Sequence, residues 1–175
     1  MADSTFEPEV RRSLDWLRKA VGGEAPPIAI ECKKTQEPRL SFGRVKEHQI
    51  EGLLEFEKQG LTRKLVVSQG FGTARRFTAD TPFDFVFTGA GRGYVLVNFR
   101  FTKKAPRKDI PKGTNRCFGV RIGDYVKAME DAIAEGKASL PYDWFEANGI
   151  ECKRLIVKND KGVAESGWDL EPLTK

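Results

Sequence analysis

Residues 27–35 read Pro-Ile-Ala-Ile-Glu-Cys-Lys-Lys-Thr, and no other stretch limits the possible folds as tightly. Apolar residues lead into a charged end, the pattern of a strand that starts in a core and finishes at its rim. Side chains alternate along a strand, so Glu31 and Lys33 leave one face while Ile30 and Cys32 leave the other. A carboxylate that can hold a divalent cation, beside an ammonium that can orient or deprotonate water, is the smallest set of groups for metal-assisted phosphodiester cleavage. An isolated Glu-x-Lys is more often a solvated strand end, and Glu31-Cys32-Lys33 recurs as Glu151-Cys152-Lys153. The meaning of the first copy has to come from its neighbours.

Upstream, Ser4 and Glu7 have the spacing of a capping box, with Pro8 in the first turn of a helix that runs to about Ala20. Val10, Leu14, Leu17 and Val21 form its apolar stripe, and Gly22 to Pro27 breaks it. Downstream, Ser41 is placed to cap a helix from about Gly43 to Lys58, stopped by Gly60. Its inward stripe is Val45, Ile50, Leu53, Leu54 and Phe56. Gln49 falls inside that stripe, and His48, the single histidine of the chain, falls outside it. An amide on a buried face needs partners, so Gln49 is the more informative of the two.

The period then changes from helical to two. Arg63–Ser68, Thr81–Thr88 and Tyr94–Thr102 read as strands, the last two joined by the glycine-rich 89–93 turn. Asp84 stands between Phe83 and Phe85, and a buried carboxylate of that kind requires a cation or a donor beside it. Cys117–Ile122 reads as a strand and Asp124 as the cap of a helix ending at Gly136. Ser139 and Pro141 open a short helix, and residues 150–170 close the chain as a hairpin around Asn159-Asp160-Lys161-Gly162.

The 175 residues form one domain with no internal repeat, large enough to fold without disulfides. No apolar run reaches the roughly 20 residues that span a bilayer, and Met1-Ala2-Asp3-Ser4 has no secretory pattern, so the expected compartment is the cytoplasm. Cys32, Cys117 and Cys152 lack metal-ligand spacing and read as reduced thiols in small buried niches. A net charge of +5 permits a polyanionic partner without requiring one. Its distribution is more telling: Lys103, Lys104, Arg107, Lys108, Lys112 and Arg116 crowd a stretch relieved by Asp109 alone. The glycine-rich pieces lack the strand-loop-helix context of a nucleotide fingerprint.

Taken together, the strand ending in Glu31-Cys32-Lys33 with Thr35 soon after, Phe42, the helix bearing His48-Gln49-Ile50 and closing at Gly60, and the later Gly136-Lys137-Ala138-Ser139-Leu140-Pro141-Tyr142 turn resemble the RecU-type and Hjc-like Holliday-junction resolvases of the PD-(D/E)XK nuclease superfamily. The likeness covers about two thirds of the chain. It implies an α/β, restriction-endonuclease-like fold: a mixed central sheet flanked by helices. It also implies a Mg²⁺-dependent endonuclease, with Mn²⁺ as substitute, that acts on branched DNA such as a four-way junction as a homodimer. The rivals within this reading are another nuclease of the same fold and a non-catalytic DNA-binding relic.

Carried over residue by residue, the resemblance makes Glu31 and the backbone carbonyl of Cys32 metal ligands, Lys33 the catalytic lysine and Gln49 the helix glutamine that reaches toward the site. Glu7 resembles the first-helix glutamate, with Glu9 the fallback and helix capping the ordinary alternative. The family's metal-binding aspartate lies on the strand before Glu-x-Lys, where this chain has only Gly22 to Pro27 and a single acid, Glu24. Thr81-Pro82-Phe83-Asp84-Phe85 resembles that missing element, which implies a rearranged strand order with Asp84 as metal ligand. Glu24 and Asp80 are the alternatives, and Asn98 and Arg100 occupy the Glu and Lys places of a degenerate second copy. Lys34, Arg39, Arg44, Lys46, Arg75, Arg76, Lys103, Lys104, Arg107 and Lys108 are the expected phosphate contacts.

Overall fold

The computed structural model describes residues 6–21, 27–59, 91–101, 109–159 and 161–175. The expected strands at Arg63–Ser68 and Thr81–Thr88, with Glu24, Arg75, Arg76, Asp80, Asp84, Lys103, Lys104, Arg107 and Lys108, lie outside them. Helix α1 (Phe6–Val21) precedes strand β1 (Ile28–Thr35), and a short strand β2 (Arg39–Ser41) leads through a 3₁₀ turn at Phe42–Arg44 into α2 (Glu47–Gln59). Strands β3 (Arg92–Arg100) and β4 (Asn115–Arg121) follow, then α3 (Ile122–Ala134), β5 (Ser139–Pro141) and α4 (Tyr142–Asn148). Strands β6 (Ile150–Cys152), β7 (Arg154–Lys158) and β8 (Ala164–Trp168) and a 3₁₀ turn at Glu171–Thr174 complete the order.

The central sheet runs β1-β3-β4-β6, and two-stranded ribbons pair β2 with β5 and β7 with β8. Strands β1 and β3 are parallel, with Glu31 beside Val95 and Lys33 beside Val97, whereas β3–β4 and β4–β6 are antiparallel. The protein is therefore α/β with a mixed sheet. Parallel neighbours cannot be joined by a tight turn, so the chain crosses over between them, and α2 lies on that crossover.

Alternation along β3 sends Val95, Val97 and Phe99 to one face, where they join Leu53 of α2, Ile122 and Tyr125 of α3, and Tyr142 and Phe145 of α4. Tyr94 and Leu96 go to the other face, with Ile28, Ile30 and Cys32 of β1, Cys117, Cys152, Phe6, Val10 and Leu17 of α1, and the C-terminal Trp168, Leu170 and Leu173. Burying an apolar side chain of this size contributes about 1.5–3 kcal/mol, so each layer holds its helices firmly. Among the described residues no helix is long and apolar enough to cross a membrane.

Several boundaries differ from expectation. Helix α2 begins at Glu47 and not near Gly43, because residues 39–41 are pulled into a ribbon with residues 139–141, and Ser41 makes no side-chain capping bond. Helix α3 starts at Ile122, directly after β4, so Asp124 sits inside its first turn. Its end is as read: Gly136 has φ 75°, and the amides of Gly136 and Lys137 donate to the carbonyls of Ile133 and Ala132, a Schellman stop. The expected closing hairpin divides, with β6 completing the central sheet and β7–β8 standing apart from it.

One glycine sets the spacing between α2 and the sheet. A Cβ on Gly93 would stand 2.9 Å from the Leu53 carbonyl oxygen and 3.0 Å from Ile122, while its amide donates to Glu57 at 3.1 Å. A backbone carbonyl cannot step aside as a side-chain tip can, so any larger residue lifts the helix. Gly93→Ala is expected to cost about 1–3 kcal/mol of stability, as overpacking does; urea unfolding checks it, and an unchanged midpoint contradicts the close approach.

Candidate functional site

Strand β1 presents its side chains as the alternation requires. Ile28, Ile30 and Cys32 pack on the α1 side, and Ala29 packs on the α2 side. Glu31 and Lys33 share the face of Ala29 and meet Gln49 of α2 there. Lys33 Nζ lies 2.6 Å from Glu31 Oε1 and donates to Gln49 Oε1 at 3.1 Å, while Gln49 Nε2 donates to the same Glu31 oxygen at 2.9 Å. The three side chains form a closed ring. Only 14% of the Lys33 side chain and 25% of the Glu31 side chain is exposed, so the pair is largely shielded from the water that weakens surface ion pairs.

Gln49 has a further partner. Counting from Glu47 as the first helical residue, Lys46 is the N-cap and Gln49 the third position, and the Lys46 amide donates to Gln49 Oε1 at 2.9 Å. That is the return half of a capping box. It also fixes the orientation of the amide. An ammonium and a backbone N–H can only donate, and an ionised carboxylate can only accept, so oxygen must face Lys33 and Lys46 while nitrogen faces Glu31. Helix start and candidate site are thus joined through one side chain. The signal was in the sequence as the Lys46 to Gln49 spacing; the expectation of an earlier helix start hid it.

The backbone adds a feature on the other side of β1. The Arg92 amide donates to the Pro27 carbonyl, so the carbonyls of residues 27, 29, 31 and 33 point toward β3. Those of Ile28, Ile30, Cys32 and Lys34 then point the opposite way, to an edge that pairs with no other described strand. Glu31 and the Cys32 carbonyl are hard oxygen donors of the type that magnesium and manganese take. Among the described residues no group of three or more His, Cys, Asp or Glu side chains converges as a metal site. Glu31 and the Cys32 carbonyl fit such an ion in kind.

The other residues singled out divide into two groups. His48 is exposed, as expected, and Arg39, Arg44 and Lys46 are exposed on the segment that leads into the α2 N-terminus. Arg39 also faces Glu37 at 3.4 Å, a solvated pair of little energetic weight. Lys34, by contrast, shares the α1 face with Cys32, away from Lys33, and burial together with the Arg100 charge lowers its pKa. Asn98 is on that same face, where its amide donates to Asn115 Oδ1 at 2.7 Å, so the degenerate copy does not converge on Glu31.

Glu7 is exposed and paired with Arg11 at 2.9 Å, one turn along its own helix, and its charge still reaches Cys32 of β1, where it helps raise the thiol's pKa. Two other expectations are corrected. Glu9, the fallback for Glu7, clasps α1 to the β7–β8 ribbon: its Oε1 accepts from Arg154 at 3.0 Å and from Ser166 at 2.9 Å. Arg116 is drawn inward and does not extend the basic loop. It pairs with Glu151 at 2.7 Å and with Glu146, donates to the Tyr142 hydroxyl, and lies over the Phe118 ring. These contacts raise its pKa further and lower that of Glu151. The second Glu-Cys-Lys triplet is therefore a structural ion pair at the far edge of the sheet. Thr35, marked by the resemblance as following the Glu-x-Lys, is 2% exposed, and its hydroxyl accepts from the Glu37 amide at 3.0 Å, shaping the turn after β1.

No protein-family model, no curated protein and no solved structure matches the chain.

All three cysteines are free thiols. Burial, then the charge of Glu31, pushes the Cys32 thiol up to about 12; burial does the same to Cys152 and holds Cys117 well above its ordinary value. At neutral pH Cys32 can therefore offer a carbonyl but no thiolate. A folded pKa above the unfolded one stabilises the protein fully below the unfolded value, about 8.5, and this contribution is lost as pH rises toward 12. Stability measured by urea unfolding should fall across that alkaline window, and Cys32→Ala should make the fall shallower; an identical slope in the variant contradicts the assignment.

Proposed function

We propose that the chain is a divalent-metal-dependent endodeoxyribonuclease acting on branched DNA, with Glu31, Lys33 and Gln49 at its centre. The observation that carries this reading is the closed ring of these three side chains, assembled where a strand, a crossover helix and a parallel strand meet. An ordinary solvated strand end would not place its lysine at 14% exposure against a helix amide. The resemblance to the RecU-type and Hjc-like resolvases supplies the restriction-endonuclease-like fold, the four-way junction as substrate and the two-fold homodimer that would cut paired strands.

In this reading Glu31 and the Cys32 carbonyl would hold Mg²⁺ or Mn²⁺, with Asp84, the acid proposed from the sequence, as the further ligand. When bound, such an ion neutralises the scissile phosphate and lowers the pKa of a water. Lys33 supplies the ammonium that orients the attacking water or holds the phosphate oxygen. Gln49 keeps Glu31 and Lys33 in register through its amide, itself tied to the Lys46 backbone. Arg39, Arg44 and Lys46 offer exposed charge beside the helix start, which itself favours anions. Arg75, Arg76, Lys103, Lys104, Arg107 and Lys108 would add phosphate contacts, giving salt-sensitive binding with little sequence preference. Glu7, whose charge reaches Cys32, is the first-helix glutamate that would help fix the water shell, with helix capping its ordinary alternative.

A non-catalytic DNA-binding role is the second reading. Cleavage assays on four-way junction, nicked, flapped and linear duplex DNA with magnesium separate the readings. Preferential junction cutting is expected, with a loss of about 100-fold or more in Glu31→Ala, Lys33→Ala and Asp84→Asn while junction binding persists. Equal cutting of linear duplex would reject the junction substrate, and binding without cutting by the unaltered chain would favour the second reading.

A further inference from the structure

Resting on that reading, we propose that Lys33 is the built-in counter-ion of Glu31 in the unloaded protein, and that a divalent cation arriving at Glu31 displaces it, freeing the ammonium for substrate. Two N–H donors converge on a single carboxylate oxygen: Lys33 Nζ at 2.6 Å and Gln49 Nε2 at 2.9 Å from Glu31 Oε1. An oxygen with two lone pairs already engaged must release one donor before it can bind a cation.

The two donors differ in how easily they leave. Gln49 is anchored by the Lys46 amide on its oxygen, so swinging its nitrogen away sacrifices the helix cap as well. Lys33 stands on a flexible four-carbon stem, and its like charge repels an incoming cation. Lys33 moves and Gln49 stays. The resting site is in this sense latched: the lysine meets phosphate as a free ammonium only after the acid has exchanged one positive partner for another. Cation affinity in the unaltered protein is correspondingly reduced, since the ion must first break the 2.6 Å pair.

The test uses the full-length chain and magnesium alone. Calorimetric titration should show a magnesium site lost in Glu31→Gln; equal binding by both proteins would overturn the metal reading and the latch together. Lys33→Met should bind magnesium about tenfold tighter or more, a difference of about 1.4 kcal/mol, and no gain overturns the latch. Lysine-selective nitrogen NMR then reports displacement itself. The Lys33 ammonium signal, identified by its absence in Lys33→Met, should move away from its ion-paired position at magnesium saturation, and should move in the same direction without magnesium in Glu31→Gln, where only the Gln49 contact and a neutral amide are left to it. A Lys33 signal unmoved while magnesium occupies the Glu31 site would mean binding through the other carboxylate oxygen, and would defeat the latch while leaving the metal reading intact.

Discussion

A carboxylate held by an ammonium and an amide, across the gap between a strand and a helix, is the contact on which the candidate site depends. Glu31 and Lys33 are adjacent on one face of β1 by the elementary alternation of a strand, and that adjacency alone would give a flexible surface pair. Gln49 changes its character by bridging both groups from α2. The ring removes freedom from three side chains at once and shields a charged pair. Because Gln49 Oε1 also receives the Lys46 amide, loosening the ring would also loosen the first turn of the helix.

The fold serves that contact through spacing. Strands β1 and β3 run parallel, and α2 lies over them at a separation set by the missing side chain of Gly93, whose amide is tied to Glu57 in the same helix. Arg121 pairs with that glutamate at 2.9 Å, linking the end of β4 to the helix as well. On the opposite face α1 is fixed by Phe6, Val10 and Leu17 and by the Glu9 clasp to Arg154 and Ser166. The sheet is thus gripped from both sides, and the charged ends of β1 are carried on a rigid platform.

Much of this was legible from residue patterns. The facing of Glu31 and Lys33, the turn of Cys32 to the opposite face, the placement of Gln49 inside an apolar stripe and the exposure of His48 all follow from the periods of strand and helix, and each is found. Features decided by residues far apart in the chain were not legible. Pairing of Arg39–Ser41 with Ser139–Pro141 delays the start of α2, a tertiary demand that outweighs the local capping signal of Ser41. Arg116 reads as part of a basic run, yet Glu146 and Glu151, distant in sequence, claim it. Glu9 likewise finds Arg154 across nearly the whole chain. Charge runs report composition, and only folding reveals which charges are already spoken for.

The edge of β1 that pairs with no other described strand, to which the Cys32 carbonyl points, is where the proposed hydrolytic centre needs its second acid. Crystals soaked in manganese examine that point by anomalous scattering, since the ion marks its own ligands. One strong peak is expected at about 2.1 Å, the ordinary spacing for small hard cations, from a Glu31 carboxylate oxygen and the Cys32 carbonyl, with the Asp84 carboxylate completing the set. Manganese bound elsewhere with Glu31 still closed on Lys33, or Asp84 on the far side of the sheet with no other acid in its place, would contradict it.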